Sequence, residues 1–249
     1  MKILINGAAG AMGRELRQLL QAGYAGAEAA ALVDARGGEG IYTGFSQVRA
    51  EGTVLDFSFH TATAAAVDYA TAHGLPLVVG TTGHTEAERA HILAAADRIP
   101  LFYSGNMSLG IAVLCRLVKD AVRFFPQADV EILEAHHNRK ADAPSGTALM
   151  LADAAASSLP YKAEEVFERH SVRQPRRREE IGISSIRGGT IVGEHEVIFA
   201  GHDEVFEMKH SALSREVFAS GAIAAARFIA GVKAPGMYNM DDLLRDVMK

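Results

Sequence analysis

The densest group of reactive side chains in this chain lies between residues 134 and 147. His136 and His137 are adjacent, Lys140 follows them, and a Ser-Gly-Thr turn occupies positions 145–147. A histidine can transfer a proton near neutral pH, and a lysine can hold an anion or share in that transfer. A turn of this composition at the start of a helix offers N–H and hydroxyl donors to a carboxylate or phosphate. The group therefore predicts a site that binds an anion and moves a proton.

These histidines also have an ordinary structural interpretation. A single histidine at the end of a strand is more often a hydrogen-bonded residue than a catalyst, and it is the adjacent pair with Lys140 that favours function. A zinc site is less favourable, because the pair lacks a third ligand at a recognised spacing and the lysine would repel the metal ion. We therefore expect no metal. His195, which closes a glycine turn, is left open, and the other histidines are interpreted as structural: His60, His73, His84, His91, His170, His202 and His210.

Bulk composition limits the classes of protein to which the chain can belong. It has 249 residues, enough for one large domain or two modest ones, and its net charge of -5 gives no basic field that would attract nucleic acid. The three arginines at 176–178 are accordingly interpreted as a solvated face. The single cysteine, Cys115, lies in an apolar run and is interpreted as an inert core thiol. The first apolar stretch is too short for a signal peptide or a membrane span, so we expect a cytoplasmic protein.

A strand, a glycine turn and a helix follow one another at the start of the sequence. An apolar run at 3–5 stops at a turn with glycines at 7, 10 and 13, and leucines then recur at helical spacing. Such glycines let the backbone approach a ligand closely, and a helix N-terminus can hold a pyrophosphate. A second strand at 29–33 ends at Asp34, where a ribose hydroxyl would be bound. Ala9 replaces the second glycine of the usual dinucleotide fingerprint, so a glycine-rich turn without a ligand is the alternative.

The alternation of strands and helices continues to residue 107 and predicts a parallel sheet. Ligands bind at the carboxyl ends of the strands in such sheets, and the glycine turn, Asp34 and two further polar turns all fall at these ends. The polar turns lie at 80–82 and 104–106. We predict strands at 54–59, 75–79 and 99–103, with helices at 61–73 and 85–97.

The second half of the chain has a different pattern. Glycine-separated strands follow a long polar connection at 161–180, and they predict an antiparallel meander. The fold class is α/β: a Rossmann-like parallel-sheet domain (1–107 with 214–249) plus an α+β substrate-binding and oligomerisation domain (108–213) with a mixed or antiparallel sheet. We predict helices at 108–125, 147–156 and 214–232, strands at 127–135, 181–186, 190–192, 195–199 and 205–210, and a loop with a short helix at 235–244.

The run from Glu134 to Ala148 closely resembles the signature of the 4-hydroxy-tetrahydrodipicolinate reductase family, also called dihydrodipicolinate reductases. The resemblance extends to the glycine turn at 7–13, to 80–82, to Asn106 and to the Val-Gly-Glu-His run at 192–195. It spans nearly the whole chain in the family's order, and the signature is long and specific.

The resemblance implies NAD(P)H-dependent reduction of a cyclic dicarboxylate in the diaminopimelate route to lysine. It also implies a homotetramer built through the second domain's sheet, with a C-terminal helix that returns to the first domain. His136 would donate the proton and Lys140 would be its catalytic partner. The substrate would be bound by His137, Ser145, Gly146 and Thr147, and the cofactor by Gly7, Ala8, Ala9, Gly10, Ala11, Met12, Asp34, Gly80, Thr81, Thr82, Ser104, Gly105, Asn106 and Met107.

Two positions depart from the family pattern. Members often have a basic residue where Ala11 stands, and some have an arginine where this chain has Ala35. Asp34 would repel a 2′-phosphate, whereas Arg36 could accept one. We therefore expect NADH to be preferred and NADPH to be tolerated.

Two other functions remain open from the sequence. One is a dehydrogenase of the same general fold that acts on a different imino or keto acid. The other is a cofactor-sensing regulator that binds NAD(P)H without turnover. A regulator needs no proton donor, so the presence of His136 and Lys140 argues against it.

Overall fold

A computed structural model describes residues 1–248 of the chain. The chain divides into two compact units, Met1–Leu109 with Arg215–Lys249, and Gly110–Ser214. The functions predicted for the two halves, cofactor binding and substrate binding, stay predictions. No helix within residues 1–248 is long and apolar enough to cross a membrane.

Strands and helices alternate over most of the first unit, except that no α-helix separates its second strand from its third, and the second unit is richer in strands. In chain order the strands are β1 (Lys2–Asn6), β2 (Glu28–Val33), β3 (Thr53–Asp56), β4 (Leu77–Val79), β5 (Pro100–Tyr103), β6 (Asp129–His136), β7 (Glu164–Val166), β8 (Glu180–Arg187), β9 (Gly193–Ala200), β10 (Val205–Ala212) and β11 (Gly236–Tyr238). The helices are α1 (Ala11–Gln21), α2 (Thr63–His73), α3 (Glu86–Ala94), α4 (Leu109–Phe124), α5 (Gly146–Ala156), α6 (Glu216–Gly231) and α7 (Met240–Val247).

The first unit contains a six-stranded sheet in the order β11-β5-β4-β3-β1-β2, with every pairing parallel. Its central strands β3 and β4 are buried along their whole length, as expected when helices cover both faces of a sheet. The predicted Rossmann-like sheet is thereby confirmed. Because all the strands run the same way, β1, β2, β4 and β5 present their following turns at one edge.

The prediction for the end of the chain was incomplete. Residues 236–238 were expected in a loop, but Gly236–Tyr238 pairs with Pro100–Phe102 as the sixth strand, at the edge of the sheet. A strand of three residues has too few positions to show a period, so no pattern in the sequence marks it. The short helix that follows begins at Asn239, whose side chain accepts hydrogen bonds from Asp241 N and Asp242 N.

The second unit contains a five-stranded mixed sheet in the order β10-β9-β6-β8-β7. The antiparallel meander predicted for 181–210 is confirmed for β9 and β10, which pair antiparallel, and wrong for β8, because β6 lies between β8 and β9. β6 runs parallel to β8 and antiparallel to β9. The connection from β6 to β8 passes through α5, and a helical crossover returns the chain in the same direction. Residues 190–192, predicted as a strand, form part of the turn between β8 and β9.

The arginine run is a solvated face only in part, because Arg177 and Arg178 are exposed, as predicted, whereas Arg176 is not. The Arg176 side chain is 16% exposed, and it donates to Asp129 Oδ1 at 2.6 Å and to Glu131 Oε1 at 3.0 Å. Arg177 pairs with Glu180, which is buried. These acids lie on β6 and β8, and their proximity depends on the pairing of those strands.

Candidate functional site

The glycine turn after β1 is closed by backbone contacts that only glycine permits. Gly7 has φ +86°, and a Cβ there would lie 2.2 Å from the carbonyl oxygen of Phe57. A Cβ on Gly13 would lie 2.2 Å from the carbonyl oxygen of Gly7. Gly10 precedes α1 without a side-chain cap, so the first N–H groups of the helix are left for another acceptor.

A cavity of about 320 Å³ opens beside this turn. Its lining combines turn backbone, an acid, an arginine and aromatic rings, namely Gly7, Gly10, Asp34, Arg36, Phe57 and Phe59. A helix N-terminus suits a pyrophosphate, a carboxylate suits a ribose, and Phe59, which is 66% exposed, offers an apolar surface. The residues present therefore fit a dinucleotide.

Asp34 is already hydrogen-bonded within the protein. The Arg36 side chain donates to both carboxylate oxygens, from Nε to Oδ1 at 2.9 Å and from Nη2 to Oδ2 at 3.0 Å. The backbone N–H of Ala9 also donates to Oδ2, at 3.0 Å. The hydrogen bonds from Arg36 lower the pKa of Asp34 to about 2, outweighing the opposing effect of burial. Asp34 is therefore ionised at neutral pH, and Arg36 is its partner.

The turn at 80–82 is held by the segment that directly follows β3. Thr81 is buried, and its hydroxyl accepts from the backbone N–H of Ser58 at 2.9 Å. A Cβ on Gly80 would lie 2.4 Å from the ring of Phe57, so packing requires glycine there. Thr82 is exposed beside this fixed turn.

The turn after β5 is organised by its own polar groups. Ser104 Oγ donates to the carbonyl oxygen of Asn106 at 2.7 Å, and Asn106 Oδ1 accepts from Ser108 N at 2.8 Å. Met107 is buried, and its carbonyl leaves no room for a Cβ on Gly221 of α6. Gly105 has only Thr82 Cγ2 near the position of a Cβ, at 3.8 Å. The sequence-predicted cofactor residues of the first unit therefore lie at one edge of its sheet, in the turns that follow its strands and in the first turn of α1.

In the second unit, His136 is the last residue of β6 and shares a face of that strand with Glu134. Its Nδ1 lies 2.6 Å from Glu134 Oε2. Glu134 is fully buried and also accepts hydrogen bonds from both terminal nitrogens of Arg187, at 2.7 and 2.8 Å. Burial favours a raised pKa for Glu134, but the hydrogen bonds from Arg187, Ser185 and His136 outweigh it and lower the pKa to about 2. The histidine is thus backed by an ionised carboxylate.

Space beside His136 depends on a glycine. A Cβ on Gly193, the first residue of β9, would lie 3.1 Å from His136 Nε2. Since Nδ1 is directed at Glu134, Nε2 is the ring nitrogen left for a ligand. Lys140 lies four positions further along the chain, and its Nζ pairs with Asp142 Oδ2 at 2.8 Å.

The predicted anion turn begins α5, but its serine is turned inward. Ser145 is buried, and its hydroxyl accepts from Ala148 N at 3.2 Å and lies 3.0 Å from His195 Nε2. The Ser145 N–H donates to Glu134 Oε1 at 3.1 Å. Gly146 is exposed and nothing lies within 4 Å of the position of a Cβ, while Thr147 is half-buried. The helix N-terminus is therefore open to an anion at Gly146 rather than at the Ser145 hydroxyl.

Sequence reasoning missed three residues that the structure brings to His136. Glu134 and Arg187 form its carboxylate support, and His195 packs edge-on against its ring with centroids 5.1 Å apart. Burial, with a smaller contribution from His136, lowers the pKa of His195 to about 4, so its ring is neutral at pH 7. Only His195 carried a signal, its place after Gly193. The role of Glu134 depends on Arg187, which is distant in sequence.

No group of three or more histidine, cysteine, aspartate or glutamate residues in the described part of the chain is arranged to hold a metal ion.

Comparison with known proteins decides the family. The model of the N-terminal region of dihydrodipicolinate reductases matches residues 1–107, and that of their C-terminal region matches residues 110–244. The chain belongs to the dihydrodipicolinate reductase family. The resemblance recognised from the sequence is thereby confirmed.

Curated relatives in this family are similar over most of their length. A 4-hydroxy-tetrahydrodipicolinate reductase of Caldanaerobacter subterraneus is 50% identical over 206 residues, which is 82% of each chain. That of Caulobacter vibrioides is 45% identical over 251 residues and matches 98% of this chain and 97% of its own.

Solved structures confirm the fold. A dipicolinate-bound dihydrodipicolinate reductase of Paenisporosarcina sp. TG-14 superposes with a TM-score of 0.76 at 19% identity, covering 96% of this chain and 97% of its own. A probable dehydrogenase of Thermotoga maritima has a TM-score of 0.60 at 13% identity, covering 100% of this chain and 94% of its own. At these identities the likeness concerns the fold alone.

Proposed function

We propose a residue-level account of the reaction of this family member, in which His136 donates the proton. The reaction follows from family membership: the chain is an NAD(P)H-dependent oxidoreductase that reduces 4-hydroxy-tetrahydrodipicolinate to tetrahydrodipicolinate in lysine biosynthesis. When bound, the nicotinamide supplies a hydride. The protein must therefore bind a doubly negative ring and supply a proton to the atom next to the one that accepts the hydride.

The position of His136 Nε2 carries this proposal. Nδ1 is committed to a buried carboxylate, and Nε2 is left beside a residue without a side chain, Gly193. An imidazolium in this place gives up its Nε2 proton and becomes neutral, while Glu134 keeps the ring oriented. Lys140 adds a positive charge that assists in holding the substrate and favours its protonation.

The substrate carboxylate is assigned to the start of α5. His137, Gly146 and Thr147 bind it, with the helix N-terminus directing N–H donors at the anion. Ser145 contributes by fixing the turn, because both its hydroxyl and its N–H are used inside the protein.

The cofactor is assigned to the first unit. The turn Gly7, Ala8, Ala9 and Gly10, with Ala11 and Met12 of α1, holds the pyrophosphate. Gly80, Thr81 and Thr82, together with Ser104, Gly105, Asn106 and Met107, line the nicotinamide side. We expect NADH to be preferred, because ionised Asp34 suits a ribose diol and repels a 2′-phosphate, with NADPH tolerated through Arg36.

We propose that the protein forms a homotetramer through the outer face of the sheet in the second unit. Ile186 and Val205 lie on that face at 47% and 60% exposure, where a partner subunit would cover them. Light scattering on the purified protein tests the assembly, and a monomer at micromolar concentration would contradict it.

The proton donor is tested with His136→Gln, assayed by nicotinamide absorbance with substrate generated by the preceding synthase. We expect kcat to fall by about 10²- to 10⁴-fold, the usual contribution of a general acid, while the affinity for NADH is retained. His202→Gln, at a histidine that is 96% exposed, is the matched control and should keep full activity. An equal loss of cofactor binding, or full turnover, would show that His136 has another role.

A further inference from the structure

We propose that Glu134 is the positioning residue of this site: its carboxylate fixes the His136 ring through Nδ1, so that the proton to be transferred sits on Nε2, and Arg187 locks the carboxylate in place. This inference rests on the proposed function, and it adds a residue pair to which the sequence assigned no role. The two residues lie on neighbouring parallel strands, β6 and β8.

Four of the five contacts made by the Glu134 carboxylate are with donors, and the fifth is with a ring nitrogen of His136. Oε1 accepts from Arg187 Nη2 at 2.7 Å, Ser185 Oγ at 2.7 Å and Ser145 N at 3.1 Å. Oε2 accepts from Arg187 Nη1 at 2.8 Å and lies 2.6 Å from His136 Nδ1. Four donors around this fully buried group hold its pKa at about 2, so the carboxylate is ionised and can only accept from its fifth partner, His136 Nδ1.

This arrangement decides the state of the His136 ring. Because Oε2 is an acceptor, Nδ1 carries a hydrogen in both the neutral and the protonated ring. The neutral ring therefore has its lone pair on Nε2, and protonation adds the transferable proton at that atom.

The other charged groups around His136 do not replace this role. His195, which packs against the ring, is neutral at pH 7 because burial lowers its pKa to about 4. Lys140 pairs with Asp142, and Arg187 also donates to the carbonyl oxygen of Asp142 at 2.7 Å. Burial lowers the pKa of His210, which faces the His195 side of the site, so this ring is neutral as well. Glu134 is the anion in direct contact with the imidazole.

Replacing Glu134 by glutamine puts a hydrogen-bond donor at the position of Oε2, which is an acceptor in the wild type. Three donors converge on Oε1, so the amide oxygen of a glutamine is held there and its NH₂ group faces His136 Nδ1. An NH₂ group cannot accept from Nδ1–H, so the neutral ring switches its hydrogen to Nε2 and the protonated ring is disfavoured. Arg187 is also left without its counter-ion.

The test compares E134Q with E180Q, each as the folded full-length protein at saturating NADH. Glu180 is also a buried carboxylate paired with two arginines, Arg169 and Arg177, but the structure shows no contact with His136. For E134Q we expect kcat to fall by about 10- to 100-fold, NADH affinity to stay within about threefold, and the midpoint of the pH profile of kcat/KM to move to lower pH. E180Q should leave the pH profile unchanged.

A second variant separates positioning from a structural role. In R187M the carboxylate loses its counter-ion but keeps His136, so the midpoint of the profile should move to higher pH, opposite to E134Q. Histidine-¹⁵N NMR provides a readout without turnover: the His136 signals, identified by their loss in H136Q, should show an Nδ1–H ring in the wild type and an Nε2–H ring in E134Q. Loss of activity in both variants without opposite pH shifts, or an unchanged tautomer, would overturn the inference. Full activity in H136Q would overturn the proposed function itself, whatever E134Q does.

Discussion

Arg36 occupies the acceptor positions at which a cofactor ribose would bind. Asp34 Oδ1 accepts from the backbone N–H and the Nε–H of Arg36, and Oδ2 accepts from Nη2 of Arg36 and the N–H of Ala9, all at 2.9 to 3.0 Å. A carboxylate has about four lone-pair positions, so this one is saturated. A ribose diol can bind Asp34 only if the Arg36 side chain leaves.

We predict that Arg36→Ala increases the preference for NADH. The Arg36 side chain is 67% exposed, and an ion pair so placed changes a binding constant by no more than about fivefold. Removing it should therefore lower the KM for NADH by up to about fivefold. NADPH would lose the cation that accepts its 2′-phosphate and would meet an uncompensated Asp34, so its kcat/KM should fall by about 10- to 100-fold.

The assay compares kcat/KM for the two cofactors at fixed, saturating substrate. Arg49→Ala is the control, because Arg49 is an arginine of the same unit that donates to the carbonyl oxygens of Ser46 and Val48. For Arg49→Ala, the ratio of kcat/KM with NADH to kcat/KM with NADPH should equal that of the wild type. If Arg36→Ala weakens both cofactors equally, Arg36 holds a group common to both, and the reasoning from Asp34 is refuted.

Two further predictions concern the second unit. Gly193→Ala would place a methyl group 3.1 Å from His136 Nε2, which is a few tenths of an ångström closer than ordinary van der Waals contact. We expect kcat to be about tenfold lower and the melting temperature to be unchanged. An unchanged kcat would contradict the placement of Nε2. The stability of the fold in acid should depend on Glu134, because its pKa falls from 4.5 to about 2 on folding. The ionised carboxylate contributes about 3 kcal/mol to the free energy of unfolding; this contribution is fully present above about pH 5 and is lost as the pH falls toward 2. Urea titrations from pH 6 to pH 2 should show that loss in the wild type and not in Glu134→Gln; parallel curves would contradict it.

The sequence predicted the first unit well because its signals are local. The glycines at 7 and 13, the acid at the end of β2 and the apolar runs of β4 and β5 are each visible within a few residues. The long signature around His136 gave the family. The predictions that were wrong depended on contacts between residues far apart in the sequence. β6 lies between β8 and β9, and Arg176 pairs with Asp129 and Glu131 of β6.

The candidate site divides in the same way. His136 and Lys140 are recognisable from residue type and spacing, but the support of His136 is not, because Glu134 and Arg187 are 53 positions apart. The inward direction of Ser145 is likewise set by His195, 50 positions away. A pattern read along the chain shows which groups could react, whereas the partners that fix their protonation come from strand pairing.

The discontinuity of the first unit has a consequence for biosynthesis. Residues 1–109 emerge from the ribosome before β11 and α6, which complete and cover their sheet, have been made. The intervening segment, 110–214, carries its own apolar core and can finish folding while the nucleotide-binding half is still waiting for its last helix. The nascent chain thus exposes a partly uncovered parallel sheet until residues 110–214 and then α6 have been translated.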